Sequence, residues 1–223
     1  MIHTDALAAR GFAVIPGLIA PDDCRALIGL WPDKGNFRKH ITMQHHGYGQ
    51  GEYQYFTYPL PDPVERLRQN LYPPLAGIAN RWNEQLGREK RFPPTLEAWL
   101  RECHTGGQKR PTPLLLRYGP GDYNCLHRDL YGELVFPLQV VILLNEPGRD
   151  FNGGEFMLVE QRPRMQSRGE VVSLKQGDAV VFAVNERPVQ GTRGFHRTAM
   201  RHGVSSLRDG ERYTLGIIFH DAA

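Results

Sequence analysis

The chain has 223 residues, of which 40% are hydrophobic and 23% charged, and its formal net charge is +3 at pH 7. This length predicts a single domain, residues 1–223, with a sizeable buried core, and the composition argues against a disordered chain. No apolar run reaches the 18 residues of a transmembrane candidate, so we expect no membrane partner. The mildly basic balance is compatible with a polyanion partner but does not indicate one.

Three cysteines, Cys24, Cys103 and Cys125, are an odd number and include no CxxC pair. This usage indicates reduced thiols and a cytoplasmic protein. No feature of the sequence indicates an obligate protein partner.

The first half, residues 1–110, is predicted to be mainly helical, with a strand at 12–15. Asp62 and Glu65 have capping-box spacing, and Pro63 would occupy the first helical position. The helices expected from proline, glycine and cap signals run from Thr4 to Gly11, from Pro21 onward, from Asp62 to Pro73-Pro74, through 78–86, and from Pro94 to Gly106-Gly107.

Segment 36–60 is rich in histidine, glycine, glutamine and tyrosine. Its composition predicts an exposed irregular segment or short hairpin outside the core, and a candidate substrate lid. The aromatic residues Tyr53, Tyr55, Phe56 and Tyr58 alternate as a half-buried strand would, which leaves core packing and base stacking as equal alternatives.

From residue 111 onward the pattern changes to short strands separated by glycine and proline turns, which predicts a sandwich or jelly roll. We therefore expect a mainly β fold with flanking helices (α+β), in which 1–110 supplies a helical support and lid region and 111–223 the jelly-roll core. The predicted strands are 113–118, 135–144, 154–161, 169–174, 178–184 and 211–220.

His127 and Asp129 lie two residues apart in the segment NCLHRD (124–129), and a strand would send both side chains to one face. Burying a carboxylate is costly unless it is paired or binds a metal. His202 follows 75 residues after His127, ahead of a predicted strand, and Arg212 comes ten residues later. Two histidines and one carboxylate form the ligand set of non-haem Fe(II) oxygenases, with His196 as a rival third ligand. An inward arginine could grip the far carboxylate of a metal chelator such as 2-oxoglutarate.

The ordered motifs LRYGPGDYNCLHRD, GGEF, GDAVVF, HGV and GERYTL resemble the Fe(II)/2-oxoglutarate-dependent dioxygenase superfamily over roughly 111–220. The resemblance implies a double-stranded β-helix, with Fe(II) bound by His127, Asp129 and His202 and the far carboxylate of 2-oxoglutarate bound by Arg212. It further implies O2 as the oxidant, and ascorbate as a possible reductant.

Within the superfamily the nearer likeness is to AlkB-type nucleic-acid dealkylases and to bacterial oxygenases classed as acting on damaged DNA. This likeness makes Tyr118 a candidate hydrogen-bond donor to 2-oxoglutarate. It also implies that Thr214 faces the cosubstrate. The sequence departs from the AlkB pattern at Leu116, Tyr131 and Ile218, and its ten-residue spacing from His202 is closer to prolyl hydroxylases.

These observations favour oxidative dealkylation of methylated, single-stranded or flipped-base nucleic acid. The alternative is a prolyl-hydroxylase-like hydroxylase of a protein side chain or small metabolite. A catalytically inactive jelly-roll binding module is a third reading, and the intact set of iron and 2-oxoglutarate residues speaks against it.

Overall fold

The structure, a computed structural model, describes residues 3–130 and 132–223, so the sequence departure at Tyr131 lies outside the described residues. No helix in these two ranges has both the length and the apolar character needed to cross a membrane. The helices are α1 (Thr4–Arg10), α2 (Pro21–Gly29), α3 (Asp62–Gln85) and α4 (Leu96–Thr105), with 3-10 turns at Lys34–Asn36 and Met43–His46.

Antiparallel strands form the centre of the fold, in agreement with the predicted jelly roll. The strands are β1 (Phe12–Ile15), β2 (Phe37–Thr42), β3 (Gly49–Gln50), β4 (Glu52–Phe56), β5 (Leu114–Tyr118), β6 (Tyr123–His127), β7 (Leu138–Leu143), β8 (Phe151–Gly153), β9 (Phe156–Gln161), β10 (Arg168–Val172), β11 (Ala179–Ala183), β12 (Glu186–Gly191), β13 (Gly194–Val204), β14 (Leu207–Gly210) and β15 (Arg212–Ile217).

The larger sheet has seven strands in the order β1-β11-β7-β15-β5-β4-β2. The smaller sheet has the order β10-β9-β13-β6-β3, with β12 also paired to β13, and β14 pairs with β8. Every residue of β7 and β11 is buried, because these central strands of the larger sheet are covered on both faces. Tyr72 of α3 packs on Phe136 and Phe219, so the predicted helical layer lies against this sheet.

Segment 36–60 contains an antiparallel strand pair, as the hairpin alternative expected, but the prediction that it lies outside the core is wrong for β4. β2 and β4 extend the larger sheet, and β4 pairs with β5. Tyr53, Tyr55 and Phe56 are buried, whereas Tyr58 is 39% exposed. The glycine and glutamine content suggested a loop, but the apolar and aromatic side chains of β4 gain more by burial against the sheet.

The predicted break at Pro73-Pro74 is also wrong, because α3 continues through both prolines. Proline lacks an N–H, so two carbonyls one turn earlier lose their helical donors. The apolar face of α3, including Tyr72 and Leu75, is buried in the core. Burial of this face offsets the loss, since most helix stability in proteins comes from tertiary packing.

Two predicted helix starts differ from the structure. The capping box of Asp62 and Glu65 does not form, because α3 begins directly after Pro61 without a side-chain cap. α4 begins two residues after Pro94, and its N-cap is Thr95, whose hydroxyl accepts a hydrogen bond from a backbone N–H. Local signals place helix ends less securely than helices themselves.

The hairpin of β12 and β13 was not predicted, and it carries His202. His202 precedes β15, the strand expected after it, but it also lies inside a strand of the smaller sheet, which the sequence did not indicate. Several polar and glycine residues interrupt the period of two in this stretch, which hides the strand pattern.

Candidate metal centre and cosubstrate cavity

His127 and His202 face each other across two neighbouring strands of the smaller sheet. His127 is the last residue of β6 and His202 is its Cα partner in β13. Their ring centroids lie 4.2 Å apart. Asp129 follows the end of β6, and its carboxylate lies near the Nε2 atoms of both rings.

The carboxylate of Asp129 meets both imidazoles. Its Oδ1 lies 3.4 Å from Nε2 of His127, and its Oδ2 lies 3.3 Å from Nε2 of His202. Burial alone would raise the pKa of Asp129, but the hydrogen bonds and charges of the two histidines outweigh burial and hold that pKa well below its usual range. The group is therefore an anion at neutral pH.

The orientation of the His127 ring leaves one nitrogen for a metal. Its Nδ1 lies 2.7 Å from the carbonyl oxygen of Cys125. A carbonyl only accepts hydrogen bonds, so Nδ1 carries a proton, and Nε2, which faces Asp129, is the nitrogen that a metal would bind in place of a proton. Histidine ligands of metals are commonly held in this way.

One ligand atom from each of His127, Asp129 and His202 lies within 4.8 Å of the others, and this is the group of metal-ligating side chains found among the described residues. Two imidazoles and one carboxylate are the donor set of non-haem Fe(II) sites with open coordination positions. The donor chemistry and the convergence of the three groups fit Fe(II).

A cavity of about 170 Å³ opens beside these three residues and reaches into the space between the sheets. The cavity is mostly apolar, and its walls come from both sheets. It is lined by Tyr48, Tyr53, Leu114, Leu116, Tyr118, Asn124, His127, Arg128, Asp129, Gln139, Val141, Phe156, His202, Gly203, Val204, Arg212 and Thr214.

Arg212 places a buried cation on the wall of this cavity. The residue is 2% exposed, and its Nε and Nη1 have no hydrogen-bond partner among the described residues. Burial lowers the pKa of Arg212 to about 10, so the guanidinium stays charged at neutral pH. A buried, incompletely paired guanidinium is unfavourable alone and is ready to bind an anion such as a carboxylate.

Tyr118 and Thr214 lie beside Arg212. Tyr118 is its Cα partner across β5 and β15, and the guanidinium carbon lies 5.5 Å from the Tyr118 ring centroid. Burial raises the pKa of Tyr118 to about 12, so the phenol is neutral and can donate its proton in a hydrogen bond. Thr214 is two residues along the same strand and therefore shares the face of Arg212.

His196, the rival third ligand, and the two described departures from the AlkB pattern, Leu116 and Ile218, lie in three different environments. His196 pairs with Val189 in the β12–β13 hairpin and lies outside the metal-ligating group. Leu116 lines the cavity, where it adds apolar surface. Ile218 is buried in the core and does not line the cavity.

The sequence did not indicate several residues of the cavity, among them the polar or aromatic side chains of Gln139, Tyr48 and Arg128. Gln139 is buried in β7, and its Oε1 has no hydrogen-bond partner among the described residues. A signal for it exists, because it is the one polar residue in the apolar run 135–144. Tyr48 is 50% exposed at the cavity, and its ring stacks on His46 at 5.3 Å.

The sequence is similar to one protein family and to two mycobacterial proteins. The sequence profile of the Oxygenase-NA family, described as an oxygenase catalysing oxidative methylation of damaged DNA, matches residues 51–222. Uncharacterized proteins of two Mycobacterium tuberculosis strains, CDC 1551 / Oshkosh and ATCC 25618 / H37Rv, are each 56% identical over 168 residues, covering 75% of this chain and 72% of theirs.

Several solved structures share the fold. A Pseudomonas putida prolyl-4-hydroxylase is 16% identical with a TM-score of 0.56, over 99% of this chain and 97% of that chain. A Trichoplax adhaerens prolyl hydroxylase is 13% identical with a TM-score of 0.60, over 99% and 88%. A 2OG-Fe(II) oxygenase family oxidoreductase of Burkholderia pseudomallei is 17% identical with a TM-score of 0.54, over 99% and 91%. At these identities the likeness concerns the fold alone.

Proposed function

This chain belongs to the Oxygenase-NA family and is a 2-oxoglutarate- and Fe(II)-dependent oxygenase, and we propose that it removes methyl groups oxidatively from damaged nucleic acid. One observation carries the proposal. The region that matches this DNA-directed family contains a cavity in which the His127, Asp129 and His202 cluster opens beside a buried cation, Arg212.

In this proposal His127, Asp129 and His202 hold the iron. With iron, 2-oxoglutarate and O2 bound, the site supplies an oxidation that converts 2-oxoglutarate to succinate and CO2 and inserts one oxygen atom into a substrate C–H bond. The protein contributes the geometry. Asp129 supplies the negative charge, and the bond from His127 to the backbone of Cys125 fixes the direction of one ligand.

Arg212 would bind the far carboxylate of 2-oxoglutarate through its unpaired Nε and Nη1. Tyr118 would donate its phenolic proton to the same carboxylate, and Thr214 would add a hydroxyl. These three side chains lie on one wall of the cavity, whereas the metal-ligating cluster lies on the other sheet. A cosubstrate held between the two sheets is thereby oriented at both ends.

The outer part of the cavity suits a flat ring. Tyr48 lies at the cavity, stacked on His46 with an interplanar angle of 20°, and Tyr53 lines the wall nearby. A base that leaves its stack could lie against such an aromatic surface. Oxidation of an N-methyl carbon gives an N-hydroxymethyl group, which breaks its C–N bond to release formaldehyde and restore the N–H. This chemistry leads to removal of the methyl group.

A second candidate, hydroxylation of a protein side chain, rests on the ten-residue spacing from His202 to Arg212. It predicts that the product keeps the added oxygen, because a carbon-bound hydroxyl does not leave. The binding-module reading lacks comparable support, since the metal-ligating group and the cationic wall lie in one cavity.

Product mass distinguishes the candidates. The iron-loaded protein is incubated in air with 2-oxoglutarate and either an N-methylated single-stranded oligonucleotide or a set of proline-containing peptides, with Asp129→Ala as the control. We expect the oligonucleotide to lose the mass of one methylene group, with no change in the mutant. Gain of one oxygen atom by a peptide, with an unchanged oligonucleotide, would contradict the proposal.

A further inference from the structure

A groove outside the iron cavity is lined by arginine side chains. It lies between the β9–β10 turn and the β12–β13 hairpin, and we call it the arginine groove: Arg162, Arg164, His196, Arg197 and Glu186 line it. We propose that this groove binds the phosphate backbone of single-stranded nucleic acid whose target base enters the iron cavity. The proposal rests on the proposed function and extends it to a second contact surface.

Positive charge is concentrated around this groove. Segment 160–201, which includes the Glu160 that pairs with Arg162 and Arg187, contains eight basic and four acidic residues, a net charge of +4, whereas the whole chain carries only +3. The rest of the protein is therefore slightly acidic. A local excess of positive charge on a protein that is otherwise near neutral favours a polyanion partner, because a chain of phosphates would meet several cations at once.

The exposed arginines of this surface are not held by carboxylates. Arg164, Arg193, Arg197 and Arg201 form no ion pair with any described residue. Exposed arginines elsewhere, such as Arg66, Arg81 and Arg208, also lack an ion pair, so the distinguishing feature of this surface is that four such arginines cluster on one hairpin and the neighbouring turn.

The acidic neighbours of the groove are already occupied. Glu186 pairs with Arg88, and Glu160 pairs with both Arg162 and the buried Arg187. The unpaired guanidinium groups therefore have no carboxylate of the groove to which they could turn. They are available for phosphate oxygens, which guanidinium groups bind through two parallel hydrogen bonds.

Strand β13 joins the groove to the iron cavity. Arg197 and Arg201 alternate along it with buried residues, so they face solvent while His202 faces the cavity. His202 comes five positions after Arg197 in β13, a distance along the strand of roughly 17 Å at about 3.3 Å per residue. This is the span of roughly five stacked nucleotides at about 3.4 Å each.

A further arginine continues the path to the cavity itself. Arg128 lines the cavity next to the metal-ligating cluster, and its Nη1 donates a hydrogen bond to Asn185, just before β12. Arg128 therefore lies at the cavity and Arg164 and Arg197 lie at the groove, whereas Arg201 is on the face of β13 opposite to His202. A single strand bound in the groove would continue past Arg128 to place one base at the iron.

Exposed apolar side chains next to the groove favour a single strand over an acidic peptide or a duplex. Phe195 is 42% exposed and Met165 is 59% exposed. Both flank the arginines in the sequence, and unpaired bases can stack on such surfaces. A duplex hides its bases, and an acidic peptide supplies charge without flat rings.

Fluorescence anisotropy of a labelled single-stranded oligothymidine tests the proposal without any catalytic readout. The variant Arg164→Gln/Arg197→Gln is compared with Arg25→Gln/Arg101→Gln, which removes the same charge from α2 and α4. We expect only the groove variant to weaken binding, and its plot of log affinity against log salt to become shallower by about 1.4, at about 0.7 per lost phosphate contact. Melting temperatures of both variants verify that they fold.

The outcomes separate the groove from the iron chemistry. Equal weakening in both double variants, or unchanged binding in the groove variant, would overturn the groove proposal even if methylated DNA is a substrate. Displacement of the oligonucleotide by a polyglutamate peptide of equal charge at equal concentration would also overturn it, in favour of an acidic protein partner. If the wild type releases no formaldehyde yet shows the expected salt slopes, the groove proposal stands and the dealkylase proposal fails.

Discussion

His127 and His202 are Cα partners across β6 and β13, and their ring centroids lie 4.2 Å apart. This pairing brings together two residues that are 75 positions apart in the chain. Because the two strands belong to one sheet, the distance between the rings is fixed by backbone hydrogen bonds. Asp129 is placed by the turn after β6, whereas the sheet itself sets the relative position of the two histidines.

The pairing predicts which histidine completes the iron site. His202→Ala should reduce the bound iron from about one atom per chain to background, because one of the three ligands is lost. His196→Ala should keep the wild-type iron content, since His196 lies along the hairpin away from the cluster. Elemental analysis after anaerobic reconstitution measures both. Loss of iron in the His196 variant alone would reverse the assignment.

Replacement of Arg212 is expected to have opposite effects on the stability of the protein and on cosubstrate binding. Arg212→Met removes a buried guanidinium that lacks partners at two nitrogens, so the free energy of unfolding should stay equal or rise by up to about 4 kcal/mol. The stabilisation by 2-oxoglutarate, about 2.7 kcal/mol at a hundredfold excess over Kd, should disappear. Thermal melts of the iron-loaded protein with and without 2-oxoglutarate show both effects. A destabilised variant that still responds to 2-oxoglutarate would refute this role.

Gln139 is expected to act on a bound molecule, since its Oε1 faces no hydrogen-bond partner among the described residues. Gln139→Leu should leave the melting temperature unchanged or higher, because a buried polar atom without a partner is removed. The KM for 2-oxoglutarate or for the substrate should rise by about tenfold, the effect of losing roughly 1.4 kcal/mol of binding. The matched change Gln85→Leu, at an exposed helix end, should alter neither KM. Unchanged KM values in Gln139→Leu would show a purely structural residue.

The buried His220 is expected to lower the free energy of unfolding at acidic pH. Burial, followed by the charge of Arg68, lowers the pKa of His220 to about 4, whereas an unfolded histidine has a pKa of about 6.5. Between these values the unfolded chain binds a proton that the folded chain does not, so stability falls as the pH falls from about 6.5 to 4. The loss attributable to this group is on the order of 3 kcal/mol.

His220→Asn isolates this contribution, since an amide oxygen can replace the Nδ1 that accepts from the N–H of Phe136. We expect the free energy of unfolding to depend less on pH in this variant between about pH 6.5 and 4. His45→Asn, at an exposed position, serves as the control and should follow the wild type. Urea titrations at several pH values make the comparison, and parallel curves for His220→Asn and wild type would contradict the prediction.

Much of the fold, and two of the three residues of the candidate metal centre, could be predicted from local patterns. Apolar runs bounded by glycine turns mark β7 and β11 because central strands are buried on both faces. The His-x-Asp spacing marks one half of the cluster. The arginine of the cosubstrate wall could be recognised only in the company of the other motifs.

What the sequence did not reveal depends on tertiary context. The alternating aromatic residues of β4 indicated a strand but left open whether they pack in the core, because their burial depends on the pairing of β4 with β5. Helix α3 was expected to break at Pro73-Pro74, because the packing that sustains it is distant in sequence. The unpaired arginines of the β12–β13 hairpin have meaning only once the strands place them beside one another.

The ratio of formaldehyde to succinate tests the central claim most directly. Iron-reconstituted protein, 2-oxoglutarate and air are combined with an N-methylated single-stranded oligonucleotide, and both products are quantified over time. We expect about one formaldehyde for each succinate formed in response to the oligonucleotide, and neither product from Asp129→Ala. Succinate that forms in the wild type at the same rate with and without the oligonucleotide, with no formaldehyde, would contradict the assignment of nucleic acid as the substrate.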